Sequence, residues 1–253
     1  MDVTLFYFSA TGNSLTTARL LASELGNCRL VGLASLIDQK EILVETEAVG
    51  FVFPIYYSDM PYLMRHVIGQ MNFKVNPYIF SVCTCKGHYG EIAQRLDSLL
   101  RSKGQKLSFS RHVYMPGNSS ISTPEQNIVV LNEQKENVRK VAQEISGWPV
   151  ENYQTETEPE LTPVHVASNL RGLEAEETCV GCGVCETVCP MGNIHLSDGK
   201  PVFGEDCCSC LSCFHWCPSK AIWMPKGKEE VRRRFQYHHP DVIIKDIVEQ
   251  KSK

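Results

Sequence analysis

The sequence predicts an α/β domain with a doubly wound, five-stranded parallel sheet over residues 1–147, followed by a small cysteine-rich α+β domain over residues 178–224. Three observations carry this. Apolar and β-branched runs alternate with helical segments through the first 147 residues, as strands covered on both faces by crossover helices require. Nine of the twelve cysteines fall between Cys179 and Cys217, in two copies of one pattern. Around that cluster the composition changes, to a Pro- and Glu-rich connector over 148–177 and a basic, aromatic tail over 225–253.

In chain order, V-T-L-F-Y-F at 3–8 is the first strand, nearly continuous in apolar residues. A helix follows in which Leu15, Ala18, Leu21, Ala22 and Leu25 share one face and Gly26 is the C-cap. Residues 28–33 read as the second strand and A-V-G-F-V-F at 48–53 as the third, which Pro54 stops. A helix from Pro61 to about Gln70 leads to the fourth strand at 77–82, and an amphipathic helix to the fifth at 106–115. A polar helix with Ile128, Leu131, Val138, Val141 and Ile145 on its apolar side closes the domain near Gly147.

Function in such a sheet belongs at the carboxyl ends of the strands. The first of those ends is Ser9-Ala10-Thr11-Gly12-Asn13-Ser14. Hydroxyls of Ser9, Thr11 and Ser14 can donate, Gly12 lets the backbone come close, and free amides at the helix N-terminus face an anion. The turn has no Lys or Arg, and neither an ATP-binding Gly-Lys-Ser/Thr loop nor the dinucleotide Gly-x-Gly-x-x-Gly fingerprint is present, which leaves a ribityl phosphate as the natural ligand. An ordinary capped turn is the alternative. The loop M-P-G-N-S-S-I-S-T-P at 115–124 contains no chemically demanding residue and reads as a surface turn, with contact to a cofactor or to the second domain as alternatives. Cys28, Cys83 and Cys85 read as buried thiols.

Cys179, Cys182, Cys185 and Cys189-Pro190 recur 28 positions later as Cys207, Cys210, Cys213 and Cys217-Pro218. Three thiolates so spaced wrap one iron-sulfur cube, while the cysteine before proline reaches the other copy's cluster. Cys179, Cys182, Cys185 and Cys217 therefore form one [4Fe-4S] ligand set, and Cys207, Cys210, Cys213 and Cys189 the other. Zinc is the competing reading, since close cysteines also build tetrahedral sites. Cys208 departs from the pattern; it adjoins Cys207, but only Cys207 keeps the spacing.

These motifs carry two resemblances. The cysteine stretch resembles bacterial-type ferredoxins with two [4Fe-4S] clusters. S-A-T-G-N-S resembles the T/S-x-T-G-N-T/S loop that holds the FMN phosphate in flavodoxins, so Ser9, Thr11, Gly12, Asn13 and Ser14 become FMN contacts. In flavodoxin-like proteins the loops after the third and fourth strands enclose the isoalloxazine ring. Here that implies Pro54, Ile55, Tyr56, Tyr57, Thr84, Cys85, Gly87, Tyr89 and Gly90, with Tyr56, Tyr57 and Tyr89 as stacking partners and the backbone of Cys85 and Gly87 at the pyrimidine edge. A ring packed at a loop base is the alternative for each tyrosine. The whole chain resembles flavodoxin-ferredoxin fusion proteins, found mostly in anaerobes.

The expectation is an intracellular electron-transfer flavoprotein linking two [4Fe-4S] clusters to FMN, served by a redox partner protein. The alternative is an FMN-dependent reductase that uses the ferredoxin domain as its electron inlet, with His88, Ser58, Asp59 and Asn118 as its available polar groups. An iron-sulfur redox sensor lacks a DNA-binding or kinase module. The formal charge of −4 argues against nucleic-acid binding. No signal peptide and no apolar run of about 20 residues is visible, so a cytoplasmic protein that keeps its thiols reduced is expected. The tail is expected to pack on one domain through Phe235 and Tyr237, with His238 and His239 at the surface.

Overall fold

A computed structural model describes residues 2–87, 89–118, 123–155, 173–223 and 236–252. The first domain runs β1 (Val3–Tyr7), α1 (Asn13–Leu25), β2 (Cys28–Gly32), β3 (Ile42–Val44), β4 (Ala48–Pro54), α2 (Tyr62–Gln70), β5 (Met71–Phe73), β6 (Tyr78–Cys85), α3 (Ile92–Arg101), β7 (Phe109–Tyr114) and α4 (Pro124–Ser146). Its five-stranded sheet has the order β2-β1-β4-β6-β7 with every pair parallel. Counted along the chain, these long strands stand in the order second, first, third, fourth, fifth, which is the flavodoxin-like arrangement.

Period-two alternation gives the central strands β1, β4 and β6 two apolar faces. Phe6, Phe8, Phe51, Phe53 and Ile79 pack with Leu63, Met64 and Val67 of α2 and Leu96 and Leu100 of α3. Leu5, Tyr7, Val52, Phe80 and Val82 pack with Leu15, Ala18 and Leu21 of α1 and Val138, Val141 and Ile145 of α4. Helices close both layers, and because every pair is parallel the carboxyl ends of all five strands lie at one common edge.

Several boundaries differ from expectation. The fourth long strand continues to Cys85, which makes Cys83 and Cys85 strand residues, and the fifth begins at Phe109. The parallel pair β3–β5 joins Ile42 to Met71 and Val44 to Phe73; runs of three residues show no periodicity and form only because the fold brings them together. Ile128 is 57% exposed, because the buried positions of α4 begin only at Gln134 and its first turns overhang the sheet. Part of the connector packs on the first domain: Glu151 N donates to Ser108 O at 2.8 Å and Tyr78 Oη to Pro149 O at 2.8 Å. The remainder of the connector, residues 156–172, lies outside the described residues.

The cysteine-rich domain starts earlier than residue 178. Strand β8 (Glu174–Ala175) pairs antiparallel with β11 (Ile222–Trp223), and Leu173 is buried in the domain's core. Between them come α5 (Val184–Val188), β9 (Ile194–Ser197), β10 (Lys200–Phe203) and α6 (Ser212–His215). The sequence repeat is also a conformational one. Gly181, Gly183 and Gly192 have φ of 66°, 76° and 61°, and their counterparts 28 positions on, Ser209, Leu211 and Lys220, have φ of 58°, 61° and 52°. A non-glycine residue there costs roughly 1–2 kcal/mol. The second copy thus keeps the backbone path of the first at a cost, as strained sites do when their surroundings over-determine them.

The tail carries α7 (Ile244–Glu249) and packs on the first domain, with Val242 and Ile247 in the α1–α4 core layer. Its anchor is Tyr237, whereas Phe235 lies outside the described residues. His239 corrects an expectation: it is 3% exposed, donating from Nε2 to Gln134 Oε1 at 2.8 Å and accepting the Asp241 amide at Nδ1. His238 is exposed and stacks on Trp216, centroids 4.4 Å apart. No described helix is long and apolar enough to cross a membrane.

Candidate functional site

The strand ends enclose a cleft. The loop after β1 contributes Ser9, Ala10, Thr11, Asn13 and Ser14, and the end of β4 with its following loop contributes Pro54, Ile55 and Tyr56. Thr84, Cys85 and Lys86 come from β6 and its end, and Met115, Pro116, Gly117 and Asn118 from the loop after β7. Gly12, at φ 97°, caps α1, and its amide donates to Ser9 Oγ at 3.0 Å. Ser14 Oγ lies 2.8 Å from Thr84 Oγ1, joining the first turn of α1 to the end of β6 through hydroxyls. The first turn of α1 holds no acidic residue. Buried hydroxyls, a helix N-terminus and the Lys86 cation suit an anionic group such as a phosphate monoester.

Tyr56 is buried in the wall, edge-on to Phe8 at 6.4 Å between ring centroids. Among the described residues its hydroxyl has no hydrogen-bond partner, although burial keeps it protonated. The neighbouring Asn118 amide is directed to Cys210 O instead. A buried hydroxyl so placed at a cleft fits a ligand that accepts from it.

Not every expected contact reaches the cleft. Tyr56 N donates to Asp59 O and Asp59 N to Tyr56 O, each at 2.9 Å, closing a two-residue turn with Tyr57 at φ 52° and Ser58 at φ 60°. Tyr57 is therefore at the tip, 46% exposed, and does not line the cleft. Tyr89, 44% exposed, stacks on His112 with centroids 4.0 Å apart. Gly87 and Gly90 also lie outside the lining, and His88 lies outside the described residues. Asp59 is committed to the fold: its carboxylate is held by Arg65 at 2.7 Å and Arg95 at 3.3 Å. Burial pushes the Cys85 thiol up to about 11 and Cys83 higher still, so both remain protonated thiols.

All twelve cysteines are free of disulfides. The thiols of the repeat fall into two neighbourhoods. After burial, the influences that raise the Cys185 thiol are Cys217 and Cys179. Cys189 is raised by burial and then by Cys210, and Cys213 by burial and then by Cys210, Cys207, Cys189 and also Cys185, so the two neighbourhoods adjoin at Cys185 and Cys213. Among the described residues, no three Cys, His, Asp or Glu side chains close on one ion-sized position. Backbone donors repeat as well: Asn193 N reaches Cys189 Sγ at 3.3 Å, and Ala221 N, 28 positions later, reaches Cys217 Sγ at 3.4 Å. Such N–H···S bonds are among the features that set cluster potentials.

The second copy of the repeat forms part of the cleft's surroundings. Asn118 Nδ2 donates to Cys210 O at 3.1 Å, and Ser212 Oγ and Trp216 Nε1 donate to Ala10 O at 3.3 and 2.9 Å. His215 accepts the Tyr237 amide at Nδ1, so its Nε2–H donates to Asn118 O at 2.8 Å. Cys208 and Cys210 share a core with Tyr56 and Phe8. The loop at 115–118 is thus a joint between domains, which corrects the surface-turn reading. Lys86 and Trp216 carried no sequence signal, because neither belongs to a local motif.

A family model described as a 4Fe-4S binding domain matches residues 175–195. The chain joins a flavodoxin-like domain to a 4Fe-4S ferredoxin domain. Solved structures similar to it include a flavodoxin from the domain Archaea, 14% identical, covering 58% of this chain and 99% of that one with a TM-score of 0.37. An azoreductase from Bacillus anthracis is 13% identical over 57% of this chain and 100% of its own, TM-score 0.38. Rubredoxin oxygen:oxidoreductase from Desulfovibrio gigas is 17% identical over 58% of this chain and 36% of its own, TM-score 0.30. A curated protein from the rpl9–rpl11 intergenic region of Porphyra purpurea is 28% identical over 68 residues, 24% of this chain and 91% of the relative. The family match supports a 4Fe-4S cluster as a cofactor.

Proposed function

We propose that this chain is an electron-transfer flavoprotein that holds FMN in the cleft and two [4Fe-4S] clusters on its eight repeat cysteines. The observation that carries the reading is the Asn118 bridge, which ties a cleft-lining loop to the carbonyl of Cys210. In this reading Cys189, Cys207, Cys210 and Cys213 hold the cluster beside the flavin. Cys179, Cys182, Cys185 and Cys217 hold the outer one, where Cys182 is exposed. The flavin supplies an acceptor that takes one or two electrons, whereas a cluster passes one at a time. Ser9, Thr11 and Ser14 would bind the phosphate, Lys86 would balance its charge, and Tyr56 would donate to the cofactor. A low-potential one-electron protein is the proposed partner, in the cytoplasm.

The reductase reading needs polar groups converging over the ring. Asp59 is locked by two arginines and the Asn118 amide is given to Cys210, which favours the carrier. The two readings separate when flavin absorbance is followed anaerobically with either reduced ferredoxin or NADPH as donor. The carrier is reduced by ferredoxin and stays oxidised with NADPH. Rapid reduction by NADPH with turnover of a small-molecule acceptor would replace it by the reductase.

A further inference from the structure

The phosphate loop is completed from the far end of the chain. Gln250, 2% exposed, accepts the Ser9 amide at Oε1 (3.0 Å) and donates from Nε2 to Ser9 O (2.8 Å), closing on both polar groups of one residue across 241 positions. His239 N donates to Thr11 O at 2.8 Å, and Tyr237 Oη donates to Asn13 Oδ1 at 2.6 Å. The Asn13 amide in turn donates to Pro116 O at 2.8 Å. A side chain at Gly12 would place its Cβ 2.8 Å from Val242 Cγ2 and 2.9 Å from His239 Cβ, so this glycine is required by the tail as well as by its φ of 97°.

The same segment grips the ferredoxin domain. Gln236 Nε2 donates to the carbonyls of Phe214 and Cys217, both at 2.7 Å, and Lys251 Nζ donates to Thr187 O at 2.9 Å. Tyr237 therefore stands between two contacts, its amide on His215 and its hydroxyl on the phosphate loop.

We propose that residues 236–252 are a structural part of the FMN site: a strap whose Gln250 and Tyr237 hold the phosphate loop in its binding conformation. The proposal rests on the reading of the cleft as an FMN site. A loop with free backbone groups must be ordered when the anion binds, and that ordering lowers affinity; a strap that fixes it beforehand removes the cost. By linkage, bound FMN then tightens the docked tail by the same factor. Gln250 and Tyr237 are positioning residues, acting on the phosphate only through Ser9 and Asn13.

The test measures dissociation constants of FMN and of riboflavin, which lacks the phosphate, on the full chain stripped of flavin with its iron retained. Wild type should prefer FMN over riboflavin. Gln250→Ala should lose about tenfold in FMN affinity, the effect of one or two hydrogen bonds, while riboflavin affinity changes by less than about threefold. Tyr237→Phe keeps the ring, deletes one hydrogen bond and should shift the same ratio in the same direction, which preserves the test if Gln250→Ala folds poorly. An FMN-to-riboflavin ratio unchanged in both folded variants would overturn the strap. A wild type that does not distinguish FMN from riboflavin would overturn the phosphate-loop reading beneath it.

Discussion

Cys207 and Cys208 are adjacent, yet their environments differ. Cys208 is buried beside Tyr56 and hydrogen-bonds to Cys210, an interaction that holds the Cys208 thiol well above its ordinary range. Cys207 is half-buried, and its sulfur accepts the Ser209 amide at 3.4 Å. Ser209 and Leu211 take left-handed conformations matching Gly181 and Gly183, so the backbone path around Cys179 in the first copy is repeated around Cys207 in the second. Replacing Cys207 with Ala should remove about half of the bound iron, one cluster of two, whereas Cys208→Ala should retain nearly all of it. Iron and protein assays on anaerobically purified variants decide, and the reverse pattern would reassign the ligand. The cysteines were legible because spacing along the chain is itself the signal. The tyrosines were not: Tyr56 and Tyr57 are equivalent in composition, and only the hydrogen-bonded turn to Asp59 places one in the wall and the other at the tip.

Among the elements, the central strands β1, β4 and β6 were readable because each is an apolar run buried on both faces, whereas the edge strands β2 and β7 are only partly buried, and β3, β5, β8 and β11 have two or three residues and owe their existence to tertiary pairing. The tail shows the same limit. Its docking on α1 and α4 centres on His239, which the sequence places beside the exposed His238 without distinguishing the two. Buried and neutral, His239 donates to Gln134, whose amide donates to Thr16 and Thr17 of α1. Burial lowers its pKa below the ordinary value of 6.5, with nearby Asp241 opposing the shift. Well above pH 6.5 neither folded nor unfolded chain protonates it, and it contributes no pH dependence. As pH falls through about 6.5 the unfolded chain takes up a proton that the folded chain refuses, and stability drops until the lower folded-state pKa is passed. Denaturation midpoints measured from pH 8 to pH 5 should therefore fall more steeply for wild type than for His239→Gln. Parallel pH profiles would show that this histidine is protonated as readily in the folded state as in the unfolded one.

At the scale of the whole molecule, the two-domain architecture was written in two local motifs, but their docking was not. The contacts that join them, Trp216 to Ala10 and Asn118 to Cys210, connect residues 206 and 92 positions apart and leave no periodic trace. Docking turns two separate cofactor motifs into a single arrangement, with the second cysteine group beside the cleft and Cys182 of the first group exposed. The tail then ties the ferredoxin domain to the loop at the head of α1. The central claim, that this arrangement serves one FMN and two four-iron clusters, is tested most directly by iron, acid-labile sulfide and flavin analysis of the anaerobically purified chain. The account predicts about eight irons and eight sulfides per chain with one FMN. Zinc in place of iron, or only about four irons, would contradict it.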